Sequence, residues 1–274
     1  MQRVRRRDVY DVDVVYIATP NALHVDHALA AIAAGKHVLV DKPMALSMAD
    51  GHAMVAAADR HGVNLGVGFQ LRHKATNRTA RDVIRTGGIG TPVCFELSIG
   101  AGKDHFPYDT WRSDPSLAGG GTLLNQGIHV IDLVQFLADS PIVEVSCFAD
   151  APPAEDVAVA TCRLANGALV TLASNQVMGG TPRTWRAVGH AGWLEGVGAV
   201  GAAAGDDLVL HTGTDAEVLV RGSANAYDDE VDAFAAAVAK GVPVNGTGHD
   251  GVSVIAVVAA LYRSADEGRA VTIG

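Results

Sequence analysis

Between residues 13 and 69 the apolar positions switch between two periods. The runs "DVVYIAT" (13–19), "KHVLVD" (36–41) and "NLGVGF" (64–69) are short and almost continuously apolar, as strands buried on both faces are. Between them, "ALHVDHALAAIAAG" (22–35) and "SMADGHAMVAAADRHG" (47–62) carry apolar residues at helical spacing. Ser47 is a capping residue at the start of the second helix, and Gly35 and Gly62 close the two. The order β-α-β-α-β predicts parallel strands joined by right-handed crossovers.

After residue 90 the rhythm changes. "PVCFELSIG", "IVEVSCFAD", "VAVATCRL", "ALVTLASNQV", "RTWRAVGH" and "DLVLHTG" follow one another as strands with short turns, and Asn166-Gly167 is a hairpin signal. Helical periodicity returns at about 225–240 and 249–266, and "AVTIG" closes the chain. The boundary between the regimes falls near Arg72. An α/β nucleotide-type unit over 1–71 and an α+β unit with an open sheet over 72–274 are expected, with a site in the cleft between them.

Composition narrows the function. A chain of 274 residues with 49% hydrophobic content builds a large core, and a formal charge of -9 disfavours nucleic acid and anionic membrane as partners. The basic run "RVRRR" (3–7) is short and without aromatics, so a solvated helix end is the expectation there. Neither a membrane-length apolar stretch nor a signal-peptide core is seen, and a cytoplasmic protein is expected. Cys94, Cys147 and Cys162 are odd in number and set among apolar residues, as buried reduced thiols are.

Two stretches carry candidate chemistry. Lys42 stands at the C-terminal end of an apolar strand, where open α/β sheets bind ligands. Asn125, His129 and Asp132 recur at i, i+4 and i+7 in an otherwise apolar helix, preceded by Gly119-Gly120-Gly121, which let a backbone come close to something. By contrast "GVGAVG" (196–201) matches a dinucleotide fingerprint only in letters: it lies among consecutive strands and opens no helix. His24 and His27 have no carboxylate or cysteine at metal-ligand spacing, and no metal is expected.

The segments "IATPNALHVDHALAAIAAGKHVLVDKP", "VGFQLRH" and "WRSDPSLAGGGTLLNQGIHVIDL", in this order and spacing, resemble the glucose-fructose oxidoreductase and inositol dehydrogenase family of NAD(P)-dependent oxidoreductases. The resemblance runs from about residue 13 to 140, and the later strands fit the family's C-terminal sheet. It implies an incomplete Rossmann-type parallel sheet followed by an α+β domain with an open, mostly antiparallel sheet. It also implies NAD or NADP as cofactor and a sugar, inositol or related polyol as substrate. Asp41-Lys42-Pro43 stands where the family usually has Glu-Lys-Pro, placing Lys42 beside the nicotinamide and the reacting hydroxyl. An ammonium there polarises that oxygen, and desolvation brings its pKa towards acid/base use. His129 matches the catalytic histidine. Asn125 takes a position where many members carry aspartate; an amide orients a hydroxyl but does not titrate, leaving proton transfer to His129 and Lys42. Thr19, Pro20, Asn21 and His24 match a cofactor-contacting turn. Asp41, Pro43 and Gln70 are further cofactor-side positions, and Arg72, Trp111 and Arg112 are substrate-side ones.

The dozen residues before "DVVYIAT" are too few for the first βαβ unit of a dinucleotide fold, which takes about 30. The expectation is that this half is missing, so that the cofactor's pyrophosphate lacks its glycine-rich cradle and binding is weak. Two functions stand at this point: a sugar or polyol dehydrogenase, and a non-catalytic binding or assembly subunit of the same fold. Apolar residues on both faces of the strands at 142–221 predict a homodimer or homotetramer through that sheet.

Overall fold

The computed structural model describes residues 12–102, 110–177, 183–201, 205–222 and 225–274. The basic run at 3–7 and the leading residues on which the missing-half expectation rests lie outside them.

The first unit is as its pattern predicts. Strand β1 (Val14–Ile17) leads through a 3-10 turn into helix α1 (His24–Ala33), β2 (His37–Asp41), α2 (Met48–His61) and β3 (Leu65–Gly68). The strands form a parallel sheet in the order β1-β2-β3. Ser47 caps α2 by accepting from the Asp50 N–H, and Gly62 ends it in the left-handed conformation at φ 65°, open to glycine at no steric cost. A 3-10 turn, Gln70–His73, then carries the chain out of this sheet.

Beyond it come α3 (Ala75–Arg85), β4 (Pro92–Gly100), a short α4 (Pro115–Ala118), a π-helical turn (Leu123–Gly127) and α5 (Ile128–Ala138). Seven strands follow: β5 (Ile142–Ala149), β6 (Val157–Leu164), β7 (Leu169–Asn175), β8 (Trp185–Gly189), β9 (Trp193–Val197), β10 (Asp206–Thr212) and β11 (Asp215–Gly222). Helices α6 (Ala226–Lys240) and α7 (Gly248–Glu267) and the two-residue β12 (Val271–Thr272) complete the chain. The large sheet runs β11-β10-β9-β8-β4-β7-β6-β5-β12 and is mostly antiparallel, with β4 and β7 paired in parallel.

Helices α3, α5 and α7 pack on one face of this sheet, and α2 packs on α7. The strict in-out alternation of β6 buries Ala158, Ala160 and Cys162 beneath them. The C-terminal helices also reach back to the first sheet: Phe234 of α6 packs on Leu39 of β2, and Thr247 bridges to Gly66. A division at residue 72 therefore separates the sheets but not the helices that cover them.

The inward face of α3 is apolar only in its second half, at Ala80 and Ile84; its first turn buries Thr76 and Asn77 fully. Asn77 donates to the Leu71 and Ala199 carbonyls and accepts from the Trp185 indole N–H at 2.9 Å, so hydrogen bonds replace apolar contact.

Candidate active site

A cavity of about 170 Å³ opens where the ends of β2 and β3 meet the turn before α5. Asn21, Asp41, Lys42 and Gln70 line it from the first unit; Trp111, Arg112, Asn125, Gln126 and His129 line it from the second. Ile99, Ala101, Arg183, Val200, Gly201 and Tyr227 close the remainder.

Lys42 reaches this cavity because β2 ends at Asp41, and its ammonium donates to the main-chain carbonyl of Asn125 at 2.5 Å. The acceptor lies in the π-turn Leu123–Gly127, a departure from the α ladder of the kind often found at functional sites. Burial pulls the Lys42 pKa down to about 8; the Asp41 carboxylate opposes this and Arg112 adds to it. His129, one turn further on, is buried and its Nδ1 has no protein partner. Burial first, and the charge of Lys42 second, hold its pKa well below the usual imidazole value, so the ring is neutral at physiological pH. Gln70 Oε1 is likewise buried without a partner. Both residues line the cavity, and buried polar atoms without a partner are the exception in folded proteins.

Asp132, the third member of the expected polar stripe, turns away from the cavity. Arg72, expected on the substrate side, does not line it either. Its guanidinium donates to Asp132 through Nε (2.9 and 3.0 Å) and Nη2 (2.6 Å) and meets Asp250 at 3.2 Å, beneath the rings of Phe69 and Phe136. The pair is a buried strut tying the turn that bears Gln70 to the helix that bears His129. His24, expected on the cofactor side, is likewise held by the protein and does not line the cavity. Its ring is 1% exposed, with Nδ1 at 2.7 Å from the Pro43 carbonyl and Nε2 at 2.8 Å from that of Thr19. It clamps two loop ends, with both ring nitrogens engaged by main-chain carbonyls. Thr19 meets His27, and Pro20 opens the 3-10 turn; neither lines the cavity, nor does Pro43. Asn21 does, while its amide donates to the Ala118 carbonyl at 2.9 Å.

The glycine triplet serves the protein itself. A Cβ on Gly121 would collide with the main chain of Glu155, and one on Gly120 would meet the Tyr262 hydroxyl. That close approach lets the Glu155 carboxylate accept from the Leu123 N–H at 2.7 Å and from Tyr262 at 3.1 Å, fixing the start of the turn that holds Asn125.

Arg183, Tyr227 and Gln126 were not legible as site residues. Arg183 stands just before β8 and Tyr227 in the first turn of α6, both distant in sequence from Lys42. The rejected "GVGAVG" is the end of β9 and a tight turn, with Gly198 at φ 69°, and its last two residues line the cavity. Among the described residues no group of three or more His, Cys, Asp or Glu is placed to hold a metal, and no helix is long and apolar enough to cross a membrane. Cys94, Cys147 and Cys162 are all free.

A parallel sheet whose strand ends meet a lysine, a neutral histidine and an amide, faced by an open mixed sheet, defines a nucleotide-dependent oxidoreductase fold. The family comparison agrees. Residues 2–69 match "Oxidoreductase family, NAD-binding Rossmann fold" and residues 77–195 match "GFO/IDH/MocA C-terminal domain". The chain belongs to the GFO/IDH/MocA oxidoreductase family. It is 32% identical to the 1,5-anhydro-D-fructose reductase of Ensifer adhaerens, over 96% of this chain and 80% of that protein. It is 30% identical to a D-xylose 1-dehydrogenase (NADP(+)) of Haloferax volcanii, over 96% and 81%. The aldose-aldose oxidoreductase of Caulobacter crescentus superposes with TM-score 0.89 at 29% identity, over 97% of this chain and 80% of that one. The NAD-binding match begins at residue 2, so the expectation of a missing half gains no support from it.

Proposed function

We propose that the chain is an NAD(P)-dependent oxidoreductase that interconverts a hydroxyl and a carbonyl on a sugar or polyol. The observation that carries this is the meeting of Lys42 and His129 on one cavity, with Lys42 pinned to the main chain of Asn125. The carbohydrate-directed names of the relatives support the substrate class. A nicotinamide, when bound, supplies or accepts the hydride; Asp41, Lys42 and Gln70 at the strand ends are placed to hold that end of it. Lys42 shares its proton with the reacting oxygen, Asn125 orients that hydroxyl, and the neutral ring of His129 donates to or accepts from it. No observation favours a non-catalytic subunit.

Two measurements test this reading. Calorimetric titration with NADH and NADPH is expected to give a dissociation constant of about 1 mM or tighter for at least one of them. A panel of aldoses, inositols and anhydro-sugars is then expected to yield a substrate by the change in reduced-nicotinamide absorbance. Absence of cofactor binding together with absence of turnover sinks the proposal.

We further propose that the helix-free face of the large sheet joins copies of the chain. Phe148 is 81% exposed and pairs across strands with the exposed Val159, whose neighbour on β7 is Ala173; the exposed Leu169 lies on β7 as well. An apolar row of this kind is an association surface. Light scattering on the eluting protein at micromolar concentration is expected to report a dimer or tetramer, and Phe148→Asp with Val159→Asp is expected to shift it towards monomer. A wild-type monomer removes the proposal.

A further inference from the structure

The charge around the cavity points to the chemical class of what enters it, on the oxidoreductase reading above. Arg183 leads into β8, and its Nε donates to the carbonyl of Gly100 at the end of β4 at 3.3 Å, which fixes the root of the guanidinium. A Cβ built on Gly201 would lie 3.6 Å from both Cδ and Nη1 of Arg183, so the side chain runs along glycine backbone at the cavity wall. Among the described residues no carboxylate pairs with it.

Lys42 and Arg112 are further basic side chains on the same lining, and Asp41 is the acidic one. The Asp41 carboxylate already accepts the Lys42 main-chain N–H at 2.8 Å. Glu230 lies nearby on α6, but burial and the charges of Asp41 and Asp132 push its pKa up to about 8, so it is mostly protonated at neutral pH. A neutral polyol sealed into this cavity would take Arg183 out of water without a counter-charge, which is unfavourable. A carboxylate or phosphate matches the planar fork of a guanidinium and pairs with two of its N–H groups.

We infer that the substrate carries an anionic group, carboxylate or phosphate, seated on Arg183 beside Gly100 and Gly201. The pyrophosphate of the cofactor is the other anion that a guanidinium here could meet. Arg183 leads into β8, and Gly100 and Gly201 beside it also come from the large-sheet side of the cavity, opposite Asp41, Lys42 and Gln70 of the first unit, so the substrate is the assigned source.

The test uses the full chain saturated with NADH or NADPH and titrated calorimetrically with D-glucose, D-glucuronate and D-glucose 6-phosphate. At least one of the two anions is expected to bind about 10-fold tighter than D-glucose, an advantage that shrinks as salt is raised. Which anion gains separates carboxylate from phosphate. Arg183→Gln is expected to weaken that anion by roughly 10- to 100-fold and D-glucose by less than about 3-fold, the difference expected for losing a charge-assisted pair. Arg183→Lys, which keeps the charge, is expected to retain part of the preference and guards against a folding defect. The inference is overturned if D-glucose binds as well as both anions, if neither anion binds, if Arg183→Gln leaves the preferred anion unchanged, or if it weakens the cofactor instead. Failure of the oxidoreductase reading appears separately, as absent cofactor binding and turnover, since sugar-acid binding needs no hydride transfer.

Discussion

Replacing Lys42 by alanine is expected to lower turnover by about 100-fold or more while leaving the cofactor dissociation constant within a few-fold of wild type, the usual scale for losing a positioned acid/base group. The ammonium ends on a main-chain carbonyl at 2.5 Å, so the substitution removes a side chain that faces the cavity without undoing a side-chain network. The pH dependence has a definite sign. The folded pKa, about 8, lies below the usual lysine value of 10.5, so the unfolded chain holds this proton more tightly. Lys42 therefore works against folding below about pH 8, and that penalty fades as pH rises from 8 towards 10.5. In catalysis, hydroxyl oxidation uses the neutral amine and is expected to climb to a plateau above about pH 8, while carbonyl reduction uses the ammonium and falls over the same range. Lys42→Ala should flatten that limb in both directions. A variant with wild-type turnover and an unaltered pH profile would take Lys42 out of the chemistry.

The largest effect on stability is expected at Arg72. Truncating it to methionine leaves Asp132, which is 1% exposed, without its partner, and breaking a buried pair of this kind costs about 3–5 kcal/mol. Burial pushes the Asp132 carboxyl up to about 6 even with Arg72 pulling against it, so without Arg72 it takes up a proton more readily. The loss is therefore expected to be smaller at pH 5 than at pH 8. The double variant Arg72→Met, Asp132→Leu fills the site with apolar groups and is expected to recover much of the loss, because such replacements are often neutral or stabilising. Urea midpoints at constant slope measure all three proteins. A single variant within about 1 kcal/mol of wild type would show that the strut carries little of the fold's stability.

The parts of the fold that were legible in sequence are those whose burial follows a simple period. β4 and β6 coincide with their apolar runs, and the capping residues Ser47, Gly62 and Asn166-Gly167 act as read. What escaped was built on polar burial or on exposure. α3 buries Thr76 and Asn77, while β11 is largely exposed and offers no inward stripe. The site divides similarly. Lys42 and His129 stand out as polar residues in apolar elements, and both line the cavity. Arg72, His24 and Asp132 carry the same signature, yet they satisfy one another or main-chain carbonyls; one chain alone does not distinguish a polar group waiting for a ligand from one already paired. Arg183 and Tyr227 come from distant segments and meet Lys42 only on the folded cavity wall.

The anchor of Lys42 is an oxygen that every amino acid possesses. Mutation at position 125 can therefore exchange the amide for an acid, a hydroxyl or an apolar group without casting the lysine adrift, provided the π-turn is kept. On the proposed reading, the anchoring of Lys42 and the orientation of a substrate hydroxyl are carried by different atoms of Asn125. That separation would let the preference among hydroxyls be retuned at position 125 without moving the lysine.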